Sequence, residues 1–405
     1  MHHTLITFLG NVPAHSGGQY RQTTYSLEQR QFSCRFLGTG LAQALQADRI
    51  RILGTVGSMW DVLAEELGAT QDEDTWVALS DAVRADRVTP ELLQSVERQL
   101  NQSQSRQQFE LRLIPYGYEE DKQVGIMKAL SEGLDQGDNE VTLDITHGFR
   151  HLPMLGLLGM LYVRSIGHAS LRNIYYGAFV PGQEVTPVVD LSGLLHIQDW
   201  VRSLDQFDKD GDYSVFAELL KREGMPGDLL AEAAFLERIG NLSLAKSKLN
   251  SFWNSGVSPR TPASQMFLPV LQQRLDWRRS ARRSQWEHKL ALEFLGRKDF
   301  LRAAIFGYEY KISQQVELTG GDVNNYDSDR IAAEKVIMEE TKDSRHAFSS
   351  ERNFYTLKNL RNQLAHGVRA TLDSEYWSVA QTAQFVQSLT RDEKKLQAWL
   401  KKVLE

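Results

Sequence analysis

Short apolar runs alternate with helix-like stretches through the first half of the chain, and this alternation limits the fold more than any other feature. The runs are rich in apolar and β-branched residues and end in glycine or polar residues, as buried strands do. They are Thr4–Leu9, Arg49–Leu53, Phe109–Ile114, Glu140–Ile145, Leu171–Phe179 and Thr186–Leu191. Strands that alternate with helices predict an open, mainly parallel α/β sheet of the Rossmann-like type.

The segments between these runs support the same fold. Gln31–Leu45 predicts a strand followed by a helix, and Val124–Leu134 has helical character. Pro153 suits the first turn of a helix that continues to about Arg164. Val12–Gln19 is rich in small and turn-forming residues and predicts a loop.

Polar and glycine residues follow three of the predicted strands directly. Because parallel sheets bind ligands beyond the carboxyl ends of their strands, we expect a ligand site there. Its candidate residues are Gly10, Asn11, Thr55, Ser58, Thr146, His147, Gly148, Phe149 and Arg150.

The turn Asp144–Pro153 is the most informative of these strand ends. Gly148 permits close backbone approach, and the helix start aims backbone N–H groups at an anion. Thr146, His147 and Arg150 add side-chain donors, which favours anion binding. The alternative is that the histidines at 147 and 151 cap a packed turn. A metal site is disfavoured because no carboxylate or further histidine follows in a zinc-enzyme pattern.

Composition and missing motifs exclude several classes of function. There is no G-x-G-x-x-G or Walker A motif, so NAD and ATP are poor candidates for the ligand. A net charge of −6 disfavours a non-specific nucleic-acid coating protein. Cys34 is the only cysteine, which indicates a reducing, cytoplasmic location, and no signal peptide or apolar run long enough to span a membrane is visible.

The 405 residues predict two or three domains. We divide the chain into a Rossmann-like ligand-sensing domain (1–204), a helical connecting region (205–285) and an all-α domain (286–405). Asp205–Asp212 carries four aspartates and predicts a linker or an exposed turn. Arg278–Arg283 is the densest basic cluster, either a solvated helix face or a surface that steers RNA.

The C-terminal helix that contains Leu357–His366 combines packing with chemistry. Leu357, Leu360 and Leu364 form one apolar stripe, while Arg361, Asn362 and His366 lie on a separate arc. Arginine binds phosphate bidentately and histidine transfers protons near neutral pH, so this arc suits phosphate chemistry. Glu309, on a predicted helix at Asp299–Val316, either orients Arg361 through a salt bridge or is an ordinary surface carboxylate.

The sequence Arg361-Asn362-Gln363-Leu364-Ala365-His366 matches the R-N-x-x-x-H signature of HEPN ribonucleases. The N-terminal half resembles the CARF domain, a Rossmann-like sensor of cyclic oligoadenylates. The resemblance rests on Phe8-Leu9-Gly10 with Tyr20 and Tyr25, Leu53-Gly54-Thr55, Asp144–Pro153, and Val188–Leu191 with Trp200. The two motifs in this order resemble the CARF–HEPN accessory ribonucleases of type III CRISPR systems.

This resemblance implies a metal-independent endoribonuclease that acts on single-stranded RNA in antiviral defence. It implies cyclic oligoadenylate as the allosteric activator, with cyclic tetra-adenylate favoured, and no cofactor. Arg361, Asn362 and His366 would be catalytic, and cleavage would leave 2′,3′-cyclic phosphate and 5′-hydroxyl ends. It further implies a homodimer, or a higher even oligomer, in which both Arg361–His366 pairs converge on one cleft.

Two other functions remain open from the sequence. The chain could be a ligand-controlled protein whose C-terminal domain only binds RNA or a partner. Alternatively, the N-terminal domain could be a ring nuclease that degrades its own activator, although no dedicated base is obvious beside Thr146, His147 and Arg150.

Overall fold

The computed structural model of the protein describes residues 2–11, 22–103, 106–134, 139–343, 350–366 and 379–405. The predicted loop Val12–Gln19 and Tyr20 lie outside these residues. The chain forms two compact units, Met1–Leu194 and Leu195–Glu405.

The first unit is built on one eight-stranded sheet in the order β3-β2-β8-β7-β6-β1-β4-β5. The five strands β7, β6, β1, β4 and β5 run parallel to their neighbours, whereas β8 is antiparallel to β7 and β3 is antiparallel to β2. The strands are β1 (His2–Leu9), β2 (Thr23–Leu27), β3 (Arg30–Cys34), β4 (Arg49–Gly54), β5 (Gln108–Leu113), β6 (Asn139–Asp144), β7 (Ser170–Gly177) and β8 (Val185–Asp190). The predicted Rossmann-like, mainly parallel sheet is confirmed.

Helices cover both faces of this sheet. They are α1 (Leu37–Ala44), α2 (Trp60–Glu66), α3 (Glu73–Arg84), α4 (Pro90–Ser103), α5 (Glu120–Ser131) and α6 (Leu152–Ser165). Alternate residues of β1 serve the two faces: Leu5 and Leu9 lie in one core cluster, and Ile6 and Phe8 lie in the other. This two-sided burial explains why β1 is a nearly continuous apolar run from Leu5 to Leu9 in the sequence.

The order of the strands fixes where a ligand is expected. After β1 the chain forms β2 and β3 at the far edge of the sheet, beside β8. It then adds β4 and β5 on one side of β1 and returns to the other side of β1 for β6 and β7. The direction of the sheet therefore reverses between β1 and β6. The crevice at such a reversal is the usual ligand site of an open α/β sheet, and the segments after β1 and β6 border it.

Some elements of the first unit were not predicted. β2 was not predicted separately, because Thr-Thr-Tyr-Ser-Leu alternates too briefly to indicate a strand. The helices α3 and α4 were also missed, although Asp72 caps α3 by accepting a hydrogen bond from the backbone N–H of Thr75.

The second unit is helical. Its helices are α7 (Gly193–Asp210, which begins just before the boundary), α8 (Ala217–Arg222), α9 (Gly227–Arg238), α10 (Leu242–Trp253), α11 (Pro262–Arg274), α12 (Arg283–Gly296), α13 (Phe300–Leu318), α14 (Ile331–Asp343), α15 (Ser350–His366), α16 (Val379–Thr390) and α17 (Glu393–Leu404). One hydrophobic core extends through this unit, from Trp200 to Leu404. The residues assigned to a connecting region share that core with the C-terminal helices, and the finer division at residue 285 stays a prediction.

The prediction of a linker or exposed turn at Asp205–Asp212 is wrong. Residues 205–210 continue α7, and Phe207 among them is only 2% exposed. Asp205 and Asp208 lie on the exposed face of this amphipathic helix, opposite the buried Phe207, whereas Asp212 lies beyond its end and accepts a hydrogen bond from the Ser214 N–H. Among the described residues, no helix is both long and apolar enough to cross a membrane.

Candidate functional site

Asp144, the last residue of β6, anchors the turn that follows it. Its buried carboxylate accepts hydrogen bonds from the hydroxyl of Thr7 (2.7 Å) and from the hydroxyl and backbone N–H of Thr146 (2.6 and 3.0 Å). The Thr146 hydroxyl in turn accepts a hydrogen bond from the Gly177 N–H at 2.8 Å. The Asp144 carboxylate thus connects β1 and β6 with the end of β7. The Thr146 hydroxyl forms two of the hydrogen bonds in this connection, so it is engaged within the fold.

The histidines of the turn are also engaged within the fold. His147 Nε2 accepts a hydrogen bond from the backbone N–H of Leu37, the first residue of α1, at 3.2 Å. Burial lowers the pKa of His147, which favours the neutral ring that accepts this bond, although the charge of Asp144 opposes the shift. His151 Nε2 lies 2.7 Å from the Tyr116 carbonyl oxygen, to which it donates. The hydrogen bonds of His147 and His151 agree with the alternative interpretation, in which both histidines stabilise a packed turn.

Gly148, Phe149 and Arg150 form the exposed part of the turn. Gly148 has φ +96°, and a Cβ there would lie 3.0 Å from Leu152 Cδ1 and 3.3 Å from Phe8 Cβ. Glycine therefore lets the backbone pass close to β1. Arg150 is exposed just before α6 begins, where a guanidinium and the first N–H groups of a helix suit an anion.

The segments after β1 and β4 are tied together. The Ser58 hydroxyl donates to the Leu9 carbonyl at 2.8 Å and accepts from the Thr55 N–H at 2.9 Å, while the Met59 N–H donates to the Gly10 carbonyl at 3.1 Å. Thr55 and Ser58 are buried, so their hydroxyls shape the edge of the crevice from within. Gly10 is buried and Asn11 is exposed. Ligand contact by these residues stays a prediction.

The structure adds an aromatic cluster that the sequence reasoning missed: Tyr116, Tyr118, Phe149 and His151. The rings of Tyr116 and Tyr118 are nearly parallel, with centroids 5.6 Å apart and planes 5° apart. Phe149 meets Tyr116 edge-on at 5.7 Å and stacks on His151 at 5.9 Å. Pro115–Tyr118 follows the predicted strand Phe109–Ile114, so the rule that selected the other strand ends would have found these tyrosines.

In the second unit, α15 buries its leucines as predicted. Leu357 and Leu360 are fully buried and Leu364 packs against the core. Arg361 and Asn362 are half-buried, whereas His366, the last residue of α15, is exposed. The helix therefore offers the imidazole to solvent beside a partly sheltered guanidinium and amide.

Arg361 is held in place by an aromatic ring and an amide. Its guanidinium lies 4.2 Å from the ring centroid of Tyr308, on α13, and its Nε and Nη2 donate to Asn362 Oδ1 at 3.1 and 2.8 Å. The Tyr308 hydroxyl donates to Glu334 at 2.6 Å, and Lys358 pairs with the same carboxylate at 2.8 Å. Burial raises the pKa of Tyr308, so the hydroxyl stays a donor at neutral pH.

Of the two interpretations of Glu309, the salt bridge to Arg361 is wrong. Glu309 pairs instead with Arg330, a buried arginine that also donates to the Ser313 hydroxyl at 2.8 Å. The polar segment after α13 brings Arg330 back to this helix, and its buried guanidinium requires a carboxylate partner more than Arg361 does.

The basic cluster Arg278–Arg283 is exposed to solvent at Arg279 and Arg282, but it is not a free row of cations. Arg278 is buried, donates to Asn250 Oδ1 at 3.0 Å and lies 5.3 Å from the Trp253 ring centroid. Arg279 pairs with Asp276, and Arg283 pairs with Glu287. The structure thus leaves little support for RNA steering by the whole cluster.

The chain combines a Rossmann-like α/β unit with a helical unit whose α15 carries Arg361, Asn362 and His366. No group of three or more metal-ligating side chains gathers within the described ranges. Residues 4–179 match the family model described as the CARF domain of the CRISPR system endoribonuclease Csx1. These residues therefore form a CARF domain.

A curated relative points the same way. The chain is 27% identical over 227 residues to the CRISPR-associated protein MJ1674 of Methanocaldococcus jannaschii. The match covers 51% of this chain but only 36% of that protein. Together the two findings support a CARF-containing CRISPR accessory protein.

Proposed function

We propose that the chain is a cyclic-oligoadenylate-activated, metal-independent endoribonuclease that cleaves single-stranded RNA in type III CRISPR defence. Cyclic tetra-adenylate is the activator that we propose. One observation carries this proposal: the same chain combines a CARF domain with a helix on which Arg361 is fixed by Tyr308 and Asn362 beside an exposed His366.

The side chains of α15 supply what RNA transesterification needs. The 2′-oxygen of a ribose forms a bond to the adjacent phosphorus, and the bond from phosphorus to the 5′-oxygen breaks, which leaves a 2′,3′-cyclic phosphate and a 5′-hydroxyl. His366 takes the proton from the 2′-hydroxyl or gives one to the 5′-oxygen. Arg361 stabilises the negative charge on the phosphorane, and its fixed position lowers the cost of reorganisation.

One imidazole cannot serve as base and acid in the same step, so we propose that a second copy of the chain completes the site. An exposed apolar stripe on α6 supports such a dimer: Met154, Leu158, Tyr162 and Ile166 follow one another at every fourth position. The stripe is about 18 Å long. In a two-fold symmetric dimer, the stripe of one subunit would pack against the same stripe of the other subunit.

Two alternatives remain as proposals of lower support. A protein that only binds RNA would not require an exposed His366 next to a fixed arginine. A ring nuclease in the CARF domain would need a base near the activator, whereas His147 Nε2 is already used as an acceptor for Leu37.

The test is cleavage of a fluorescent single-stranded RNA in EDTA, with each cyclic oligoadenylate added separately. We expect an activator to stimulate cleavage, products with 2′,3′-cyclic phosphate ends, and no cleavage of the same strand with 2′-deoxyribose. Binding of RNA without cleavage would favour the first alternative, and loss of the activator without RNA cleavage would favour the second.

Tyr308 provides a prediction about how Arg361 is positioned. Tyr308→Leu removes the ring beneath the guanidinium, and we expect kcat to fall about 10-fold because a partly buried cation–π contact is worth about 1–2 kcal/mol. Tyr308→Phe keeps the ring, and we expect kcat within about 3-fold of the wild type. Steady-state kinetics measure kcat for both variants, and their unfolding midpoints serve as the control for stability. Equal kcat for the Leu and Phe variants would contradict the role of the Tyr308 ring in positioning Arg361.

A further inference from the structure

The aromatic cluster exposes more apolar surface than packing alone explains. Tyr118 is 76% exposed and Phe149 is 43% exposed, although both belong to a connected set of four rings. Exposed single apolar residues are common on protein surfaces, but grouped aromatic rings at a ligand-binding edge are typical of a recognition surface.

The backbone beneath these rings is held firmly. His151 donates to the Tyr116 carbonyl at 2.7 Å, and Gln123 Nε2 donates to the Gly117 carbonyl at 3.2 Å. Gly117 has φ +77°, and a Cβ there would lie 2.8 Å from Ile126 Cδ1. The backbone that carries the two tyrosines is therefore held in place before any ligand arrives, which reduces the entropy that binding must cost.

The position of the cluster matches the chemistry of a nucleotide. It joins the segment after β5 to the segment after β6, and a Cβ on Gly57, in the segment after β4, would lie 3.0 Å from the Tyr116 hydroxyl oxygen. Exposed Arg150 and the start of α6 lie next to Phe149 in the chain. Flat rings suit a base, and the guanidinium with the helix N–H groups suits its phosphate.

We propose that Tyr116 and Tyr118 form a stacking platform for an adenine base of the activator, with Tyr118 as the ring that contacts the base. This inference rests on the proposed function, because it takes the activator to be a cyclic oligoadenylate. It assigns recognition of a base to the segment after β5, beyond the residues that the strand-end reasoning selected.

The test compares full-length variants in isothermal titration with cyclic tetra-adenylate, and with the tri- and hexa-adenylate rings. We expect Tyr118→Ala to bind about 5- to 150-fold more weakly, since each stacked base contributes that much to affinity. Tyr118→Phe keeps the stacking ring and should stay within about 3-fold of the wild type. Tyr326→Ala is the matched control, because Tyr326 is 69% exposed in the other unit.

A ring that carries 2-aminopurine in place of one adenine gives a readout specific to stacking. We expect its fluorescence to be quenched on the wild type and on Tyr118→Phe, and to be quenched less on Tyr118→Ala. Equal affinity and equal quenching for Tyr118→Ala would overturn this inference alone. So would a change of oligomeric state with unchanged affinity, because the ring would then contact a second copy. If the wild type binds no cyclic oligoadenylate, the proposed function fails as well.

Discussion

His366→Ala is expected to lower the activator-stimulated rate of RNA cleavage by about 10²–10⁴-fold, the usual contribution of a positioned acid or base. His366 is exposed at the end of α15, so its removal leaves the buried leucines of that helix untouched. Loss of activity should therefore come without loss of the fold. Single-turnover cleavage of a fluorescent RNA at saturating cyclic tetra-adenylate measures the effect.

The matched control is His196→Ala, which removes another exposed histidine, on α7. We expect that variant to cleave at the wild-type rate. Both variants should keep the wild-type affinity for the activator, because the activator is proposed to bind the CARF domain. Full cleavage by His366→Ala would show that the imidazole of α15 takes no part in the reaction.

Leu158→Glu on α6 is expected to weaken the proposed dimer by at least about 100-fold, because each interface would then bury an unpaired carboxylate at a cost of about 3–5 kcal/mol. Leu158 is 55% exposed in a single chain, so the folded monomer should tolerate the change. RNA cleavage should fall together with the dimer, since the proposed site needs two copies of α15. Sedimentation velocity and cleavage, both measured over a range of protein concentrations, test the two effects.

Val77→Glu serves as the matched control for Leu158→Glu. Val77 is 50% exposed on α3, away from the apolar stripe of α6, and the change introduces the same charge. We expect this variant to stay dimeric and active. A dimeric, active Leu158→Glu would exclude α6 as the interface, whereas a fully active monomer would contradict the composite site.

The sequence was most informative where the signal is local. The strands of the parallel sheet were predicted because they are short, rich in apolar and β-branched residues, and followed by glycine or polar residues. The arrangement of Leu360, Arg361 and His366 on α15 was predicted because the period of a helix fixes it.

The contacts that were missed or mistaken join residues far apart in the chain. The Tyr308 ring packs against the Arg361 guanidinium, and Glu309 pairs with Arg330. The helical period of α13 predicts neither of these contacts. The bond from Leu37 to His147 spans 110 residues, and no local pattern identifies that imidazole as an acceptor. These choices depend on how elements pack, and packing is decided by the whole core rather than by one segment.

In the proposed function, the CARF domain controls the chemistry of α15. The most direct measurement is the single-turnover rate of RNA cleavage by the full chain in EDTA, with and without saturating cyclic tetra-adenylate. A coupling free energy of the usual size predicts an activator-dependent increase of about 5- to 150-fold, and Arg150→Ala should lose this increase at the same activator concentration. Equal rates with and without the activator in the wild-type protein would contradict the account.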